Sequence, residues 1–169
     1  MIMLVCHRLP KRCSPGLLLN RRFLTTTILT VGKPNSAEEF VIAGCKEYEK
    51  RLKSTMTIVT HFVKNNDQLV SSLQKNVTKK GVVIALDENG SQHSSRDFSN
   101  LLHSSFENGG SHVLFVIGGP EGLPPEIKNK YPLFSLSKLT WTYQMSRLLL
   151  LEQIYRAVEI RKNSSYHKD

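Results

Sequence analysis

No aspartate or glutamate occurs in this 169-residue chain before Glu38. The first 25 residues instead carry Arg8, Lys11, Arg12, Arg21 and Arg22, together with Ser14 and Thr25, and Thr26 and Thr27 follow. An arginine-rich, hydroxylated, acid-free N terminus has the composition of an organelle transit peptide. Residues 1–25 are therefore predicted to be a leader, and 26–169 one folded domain. A basic arm that binds RNA is the alternative. A secretory signal fits worse, because LPKRCSPGLLLN interrupts any apolar core such a signal needs. Subtracting those five charges from the net +9 leaves +4, so the remaining body is only mildly basic. That balance admits a polyanionic partner without requiring one.

Other absences narrow the chemistry. There are three cysteines: Cys6 and Cys13 lie in the leader and Cys45 stands alone. Without a CxxC pair there is no zinc or dithiol signal, and the six histidines show no HExxH spacing. His93, His103 and His112 read as solvated surface or loop residues. No apolar run reaches the ~18 residues of a membrane span. Both GxxxxGK[ST] and GxGxxG are missing, which argues against a P-loop and a dinucleotide fold.

What remains alternates between two periodicities. TTTILTV (Thr25 to Val31), TMTIVTHFV (Thr55 to Val63), GVVIALD, HVLFVIGG and LFSLS (Leu133 to Ser137) read as strands. Ser36 and Glu39 have capping-box spacing and predict a helix to about Ser54, with Phe40, Ala43, Gly44, Glu47, Tyr48 and Leu52 inward. Further helices are predicted from Asp67 to Val77, from Ser94 or Ser95 through Phe106, briefly from Pro124 or Pro125, and from Gln144 to Arg161. Glu88-Asn89-Gly90 reads as a turn. The alternation implies an α/β layered domain with a mostly parallel sheet flanked by helices.

VLFVIGGPEGLPPEI is the most informative single stretch. A buried strand runs into Gly118, Gly119, Pro120, Glu121 and Gly122. Ligands in open parallel sheets gather beyond the carboxyl ends of strands. Composition alone leaves a structural turn and a ligand loop equally open.

VIGGPEG, SLSKLT, YQMSRLLLLEQIYRA and a terminal YHK occur together and in this order, with ILTVGK and EYEKRL upstream. In that combination, from about Thr26 to Asp169, the chain resembles the RlmH (YbeA) family of SPOUT-class ribosomal RNA methyltransferases. The resemblance implies an α/β fold with a deep trefoil knot in its C-terminal part, a homodimer, and S-adenosylmethionine as cofactor. It implies methylation of N3 of a pseudouridine in large-subunit ribosomal RNA, met as naked RNA or in an assembled subunit. With the leader, it implies an organelle matrix: mitochondrion or plastid stroma.

Carried over by motif, the cofactor contacts are Leu86, Gly118, Leu136, Ser137, Lys138, Leu139, Thr140 and Trp141. Leu86 and Gly118 end two buried strands and can face one crevice, with Gly118 letting backbone approach the ligand. For Leu136 and Leu139, plain core packing is the competing reading. Arg147, Tyr166 and His167 are the expected catalytic or substrate-side residues. Arg147 has Leu151 rather than an acid at +4, which leaves its charge for RNA or a cofactor carboxylate. Tyr166 offers a stacking face, and His167 a titratable nitrogen. Two departures stand out: Tyr143 where relatives carry His before Gln, and Ser165 where they carry Pro before Tyr-His. Tyr143 motivates an alternative, a non-catalytic RNA- or ribosome-binding protein on the same scaffold.

Overall fold

The computed structural model describes residues 24–34, 37–77 and 81–168. Nearly all of the predicted leader, and the proposed cap Ser36, lie outside them.

Five strands form one sheet: β1 Leu24–Val31, β2 Met56–Val63, β3 Val82–Gln92, β4 His112–Ile117 and β5 Leu133–Ser135. They lie in the order β2-β1-β4-β3-β5, and every pair is parallel. Parallel neighbours need crossovers, and five helices alternate with the strands. These are α1 Glu39–Leu52, α2 Asn66–Asn76, α3 Ser95–Asn108, α4 Pro125–Lys128 and α5 Tyr143–Arg161.

Side-chain alternation along the strands separates two cores. Ile28, Ile84, Val113, Phe115 and Ile117 face α1, α3 and α5, while Leu29, Val83, Leu114 and Val116 face α2 and α4. The buried strands are therefore apolar on both sides, as continuous runs such as VVIAL and VLFVI demand. α5 packs against both α1 and α3. Ser99 Oγ donates to the Ala157 carbonyl at 2.9 Å, which fixes α3 against α5.

Several boundaries and faces differ from the sequence expectation. β1 starts at Leu24, where Leu24 pairs with Met56 and Thr25 with Thr57 and His112. Leu24 and Thr25, the last two residues of the predicted leader, thus belong to the sheet. α1 is capped at Glu38 without a side-chain bond, and its buried stripe is Val41, Cys45 and Leu52. Phe40 is 63% exposed. Of the expected inward residues, Leu52 is buried and Tyr48 packs on the core, whereas Ala43 and Glu47 are exposed like Phe40, because the buried stripe runs through Val41 and Cys45 instead.

The Asn89-Gly90 turn is also absent: β3 continues through both residues to Gln92. Its pairing with β5 slips between Leu86 and Ser91. A Cβ on Gly90 would sit 2.7 Å from backbone atoms of Leu133 and Phe134, so the glycine serves close strand approach at a bulge. β5 is shorter than expected and ends at Ser135, whose hydroxyl donates to the Ser137 carbonyl at 2.7 Å. His112 is no surface residue. It opens β4 with Nε2 3.0 Å from Thr27 Oγ1, while Nδ1 is buried without a partner. Burial lowers its pKa, as it does for His103.

Candidate active site

Leu86 and Ile117 are register partners at the end of the β3–β4 pairing. Beyond them the two strands lead into different segments, and a crevice of about 600 Å³ opens. That volume suits a ligand of cofactor size. Three segments wall it: the end of β3, the loop 118–124 after β4, and the loop 136–142 between β5 and α5.

The loop after β4 is built from its own backbone. Gly122 N–H donates to the Gly119 carbonyl at 2.9 Å, and Gly122 has φ +75°, where glycine is the natural occupant. A Cβ on Gly118 would lie 2.6–2.8 Å from the backbone of Gly122 and Leu123. Glycine is required at 118 so that the loop can close on itself. Gly118 also lines the crevice, as expected of a ligand-side position.

The loop before α5 is held by side chains. Ser137 Oγ accepts from Leu139 N–H at 3.1 Å and from Trp141 Nε1 at 2.8 Å. Thr140 Oγ1 donates to Glu88 Oε2 at 2.5 Å, joining this loop to β3. Thr142 then caps α5 by accepting from Met145 N–H. Leu139 is 66% exposed and Trp141 40%, so core packing does not account for them. Leu136 does pack partly against the core.

Of the predicted cofactor residues, Leu86, Gly118, Leu136, Ser137, Leu139, Thr140 and Trp141 line this crevice. Lys138 does not. It lines a shallow polar depression alongside, with Asn89 and Gln92. Tyr143 also lines the crevice. Its ring packs so closely on Gly32 that a Cβ there would overlap it.

Sequence reasoning missed the crevice's charged floor. Asp87 Oδ2 pairs with Lys128 Nζ at 2.8 Å, and Asp87 Oδ1 accepts from the Asn89 N–H at 3.0 Å and side-chain amide at 3.2 Å. The Asp87 side chain is only 6% exposed. Burial alone would raise its carboxyl; the bonds from Lys128 and Asn89 outweigh that and hold it below the usual range. An acid immediately after a buried strand was the available signal.

The substrate-side residues lie elsewhere. Arg147 is buried, with its guanidinium 5.0 Å from the Phe62 ring and its Nε without a partner. It acts electrostatically on Cys45 and Glu49 of α1. The acid and thiol nearest it in charge thus lie on a neighbouring helix, invisible to an i,i+4 reading, and Arg147 does not line the crevice. Cys45 titrates above its ordinary value because burial outweighs the nearby Arg147.

Tyr166 folds back along α5. Its hydroxyl donates to Glu152 Oε1 at 3.0 Å and lies 3.5 Å from Tyr48 Oη. Its ring meets Tyr155 edge-on at 4.9 Å and lies under the Arg156 guanidinium, also at 4.9 Å. Burial, with the Tyr48 and Glu152 bonds, raises its pKa, so the phenol stays protonated. Arg156 Nη2 pairs with Glu152 Oε1 at 2.6 Å, and Nη1 lies 3.5 Å from His167 Nδ1. Glu152 lies nine residues beyond Tyr143 on α5. At ~1.5 Å rise per residue that places the tail cluster ~13 Å along the helix from the crevice.

A family model described as predicted SPOUT methyltransferase matches residues 24–167, nearly all of this framework. The chain belongs to the SPOUT methyltransferase family. Among similar proteins, ribosomal RNA large subunit methyltransferase H of Protochlamydia amoebophila is 44% identical over 145 residues, covering 86% of this chain and 99% of the relative. The protein of the same name from Prochlorococcus marinus is 37% identical over 145 residues, covering 84% and 94%. A putative methylase family protein from Neisseria gonorrhoeae has the same fold, with TM-score 0.50 at 15% identity over 87% of each chain. S-adenosylmethionine is the methyl donor of this class. The residues present fit that ligand: apolar walls from Leu86, Ile117, Phe134 and Leu136, loop amides close by, and carboxylates facing a cofactor that carries positive charge.

Proposed function

We propose that this chain transfers the methyl group of S-adenosylmethionine to N3 of a pseudouridine in large-subunit ribosomal RNA. It does so as a homodimer inside an organelle, mitochondrion or plastid, after the leader 1–25 has directed import. Methyltransferase class, donor and ribosomal RNA substrate rest on family membership and on relatives of that name. The particular nucleotide, the dimer and the organelle are the finer reading. The acid-free leader supports the last of these.

One observation carries the dimer. The crevice and the Tyr166–His167 cluster sit apart on one chain, yet methyl transfer needs donor carbon and target nitrogen in line and in contact. A second copy whose tail lies over this crevice brings the two together. The knot belongs to the same reading. β5 pairs beside β3 at the sheet edge, while α5 returns to pack against α1 and α3, and this return path supports it.

S-adenosylmethionine supplies an electrophilic methyl carbon on a sulfonium. As the N3–C bond forms, the C–S bond breaks and the N3 proton must depart. The crevice loops hold the donor and exclude water. Tyr166, kept protonated and aimed by Glu152, is an orienting and stacking group and not a base. His167 Nδ1 lies 3.5 Å from Arg156 Nη1 in the same cluster, and its ring is the group assigned to take the N3 proton. Arg147, buried against Phe62, positions α5 relative to α1 and β2.

Mass spectrometry of ribosomal RNA from cells lacking this chain tests the whole reading. The expected result is loss of one N3-methylpseudouridine from organellar large-subunit RNA, with cytoplasmic RNA unchanged. Loss from cytoplasmic RNA overturns the organellar assignment. Loss from neither favours the binding-protein alternative that Tyr143 suggests.

A further inference from the structure

The crevice and the rest of the chain have opposite charge. The whole sequence carries +9. The charged residues lining the crevice are Asp87, Glu88, Glu121 and Lys128, three acids against one base, a net of −2. The four are not equivalent. Asp87 is cancelled by Lys128 at 2.8 Å and further pinned by Asn89. Glu88 is held by the Thr140 hydroxyl, which fixes the carboxylate without neutralising it. None of the ion pairs among the described residues reaches Glu88 or Glu121. Two negative charges are therefore left at the crevice without an ion pair, both on solvent-exposed residues; Glu88 also borders the polar depression that Lys138 lines.

Methyl transfer changes the ligand's charge by one unit. The donor is a sulfonium; the product left in the same crevice, S-adenosylhomocysteine, is a neutral thioether of nearly the same shape. Contacts with adenine, ribose and the amino acid end bind both alike and do not distinguish them. A fixed negative potential does, since it favours only the sulfonium. We infer that Glu88 and Glu121 are specificity-determining residues that make the crevice prefer the positively charged donor to the neutral spent product, so that the reaction itself weakens the product's hold. The same charges disfavour entry of RNA phosphate into the crevice, leaving the polyanion to the basic remainder of the molecule. The inference rests on the crevice being the cofactor site.

The test is calorimetric titration of the full chain with S-adenosylmethionine and separately with S-adenosylhomocysteine, for the wild type, Glu88→Gln, Glu121→Gln and the double variant. Glutamine keeps the size and the acceptor oxygen for Thr140, so the loop attachment survives; thermal unfolding verifies that each variant is folded. Each substitution should lower the donor-to-product affinity ratio by about threefold to tenfold at low salt, mainly through weaker donor binding. The wild-type ratio should shrink as salt rises towards 1 M, where screening shortens to ~3 Å. A ratio unchanged in the double variant, or donor and product weakened by the same factor, overturns the inference while leaving the cofactor site intact. If neither ligand binds the wild type, the reading of the crevice falls, and the inference with it.

Discussion

The crevice and the tail cluster are the two chemical regions of this molecule, and they are made by opposite means. The crevice rests mainly on backbone, strand ends and a self-bonded glycine turn, with one loop pinned by the Ser137 and Thr140 side chains. The tail cluster is made of side chains, with one carboxylate, Glu152, holding both Arg156 and Tyr166. Backbone construction gives a shape that tolerates change in most side chains but not in the glycines that permit it. Side-chain construction gives a cluster that a single substitution dismantles and that the fold does not need.

The largest effect expected is truncation after Ser164, which removes Tyr166 and His167. Cofactor affinity should stay within about twofold, because no crevice wall is lost, while methyl transfer falls by at least ~100-fold for want of alignment. Mixing this truncated chain with a Thr140→Trp chain, whose crevice is obstructed but whose tail is intact, should restore part of the rate if the tail acts across a dimer. Full-rate methylation by the truncated chain alone breaks the division of labour.

Gly118→Val comes next, and it probes the backbone half. The added side chain meets the Gly122 and Leu123 backbone, which cannot swing aside. Overpacking of this kind costs ~1–3 kcal/mol, so chemical denaturation should register a loss of stability along with weaker cofactor binding. Unaltered stability with lost binding would mean that position 118 faces ligand after all.

The smallest effect lies outside both regions and serves as their control. His112, with a pKa lowered by burial, is neutral in the folded protein and free to protonate when unfolded. The unfolded state then binds more protons, so stability rises with pH and declines as pH drops below about 6.5. Melting temperature should fall modestly from pH 7.5 to 5.5, and His112→Gln should flatten that dependence. A slope unchanged by the substitution assigns it to another group, His103 first.

Much of this was legible in the sequence, for identifiable reasons. β4 and α3 stood out because VLFVI and the Ser94 cap are local signals, and Ser94 Oγ does accept from Asp97 N–H. The crevice loops were found through motifs whose order survives in this chain. What could not be read was tertiary. Asn89-Gly90 looks like a turn until a neighbouring strand needs the space above Gly90. Arg147 looks unpaired until α1 brings Glu49 and Cys45 beside it. The Asp87–Lys128 pair joins residues from different elements, and no spacing rule connects them.

The all-parallel sheet has a consequence in time as well as in space. No two neighbouring strands are joined by a hairpin, so none of the sheet can form from a single short segment. Thr27 of β1 meets His112 of β4 across a sequence separation of 85, and the contact of these two strands lies in the middle of the sheet. Long-range pairings of this kind close slowly, because the entropy of the loop is lost before the contacts compensate. The earliest strand must therefore wait, unpaired on one side, for a strand synthesised much later.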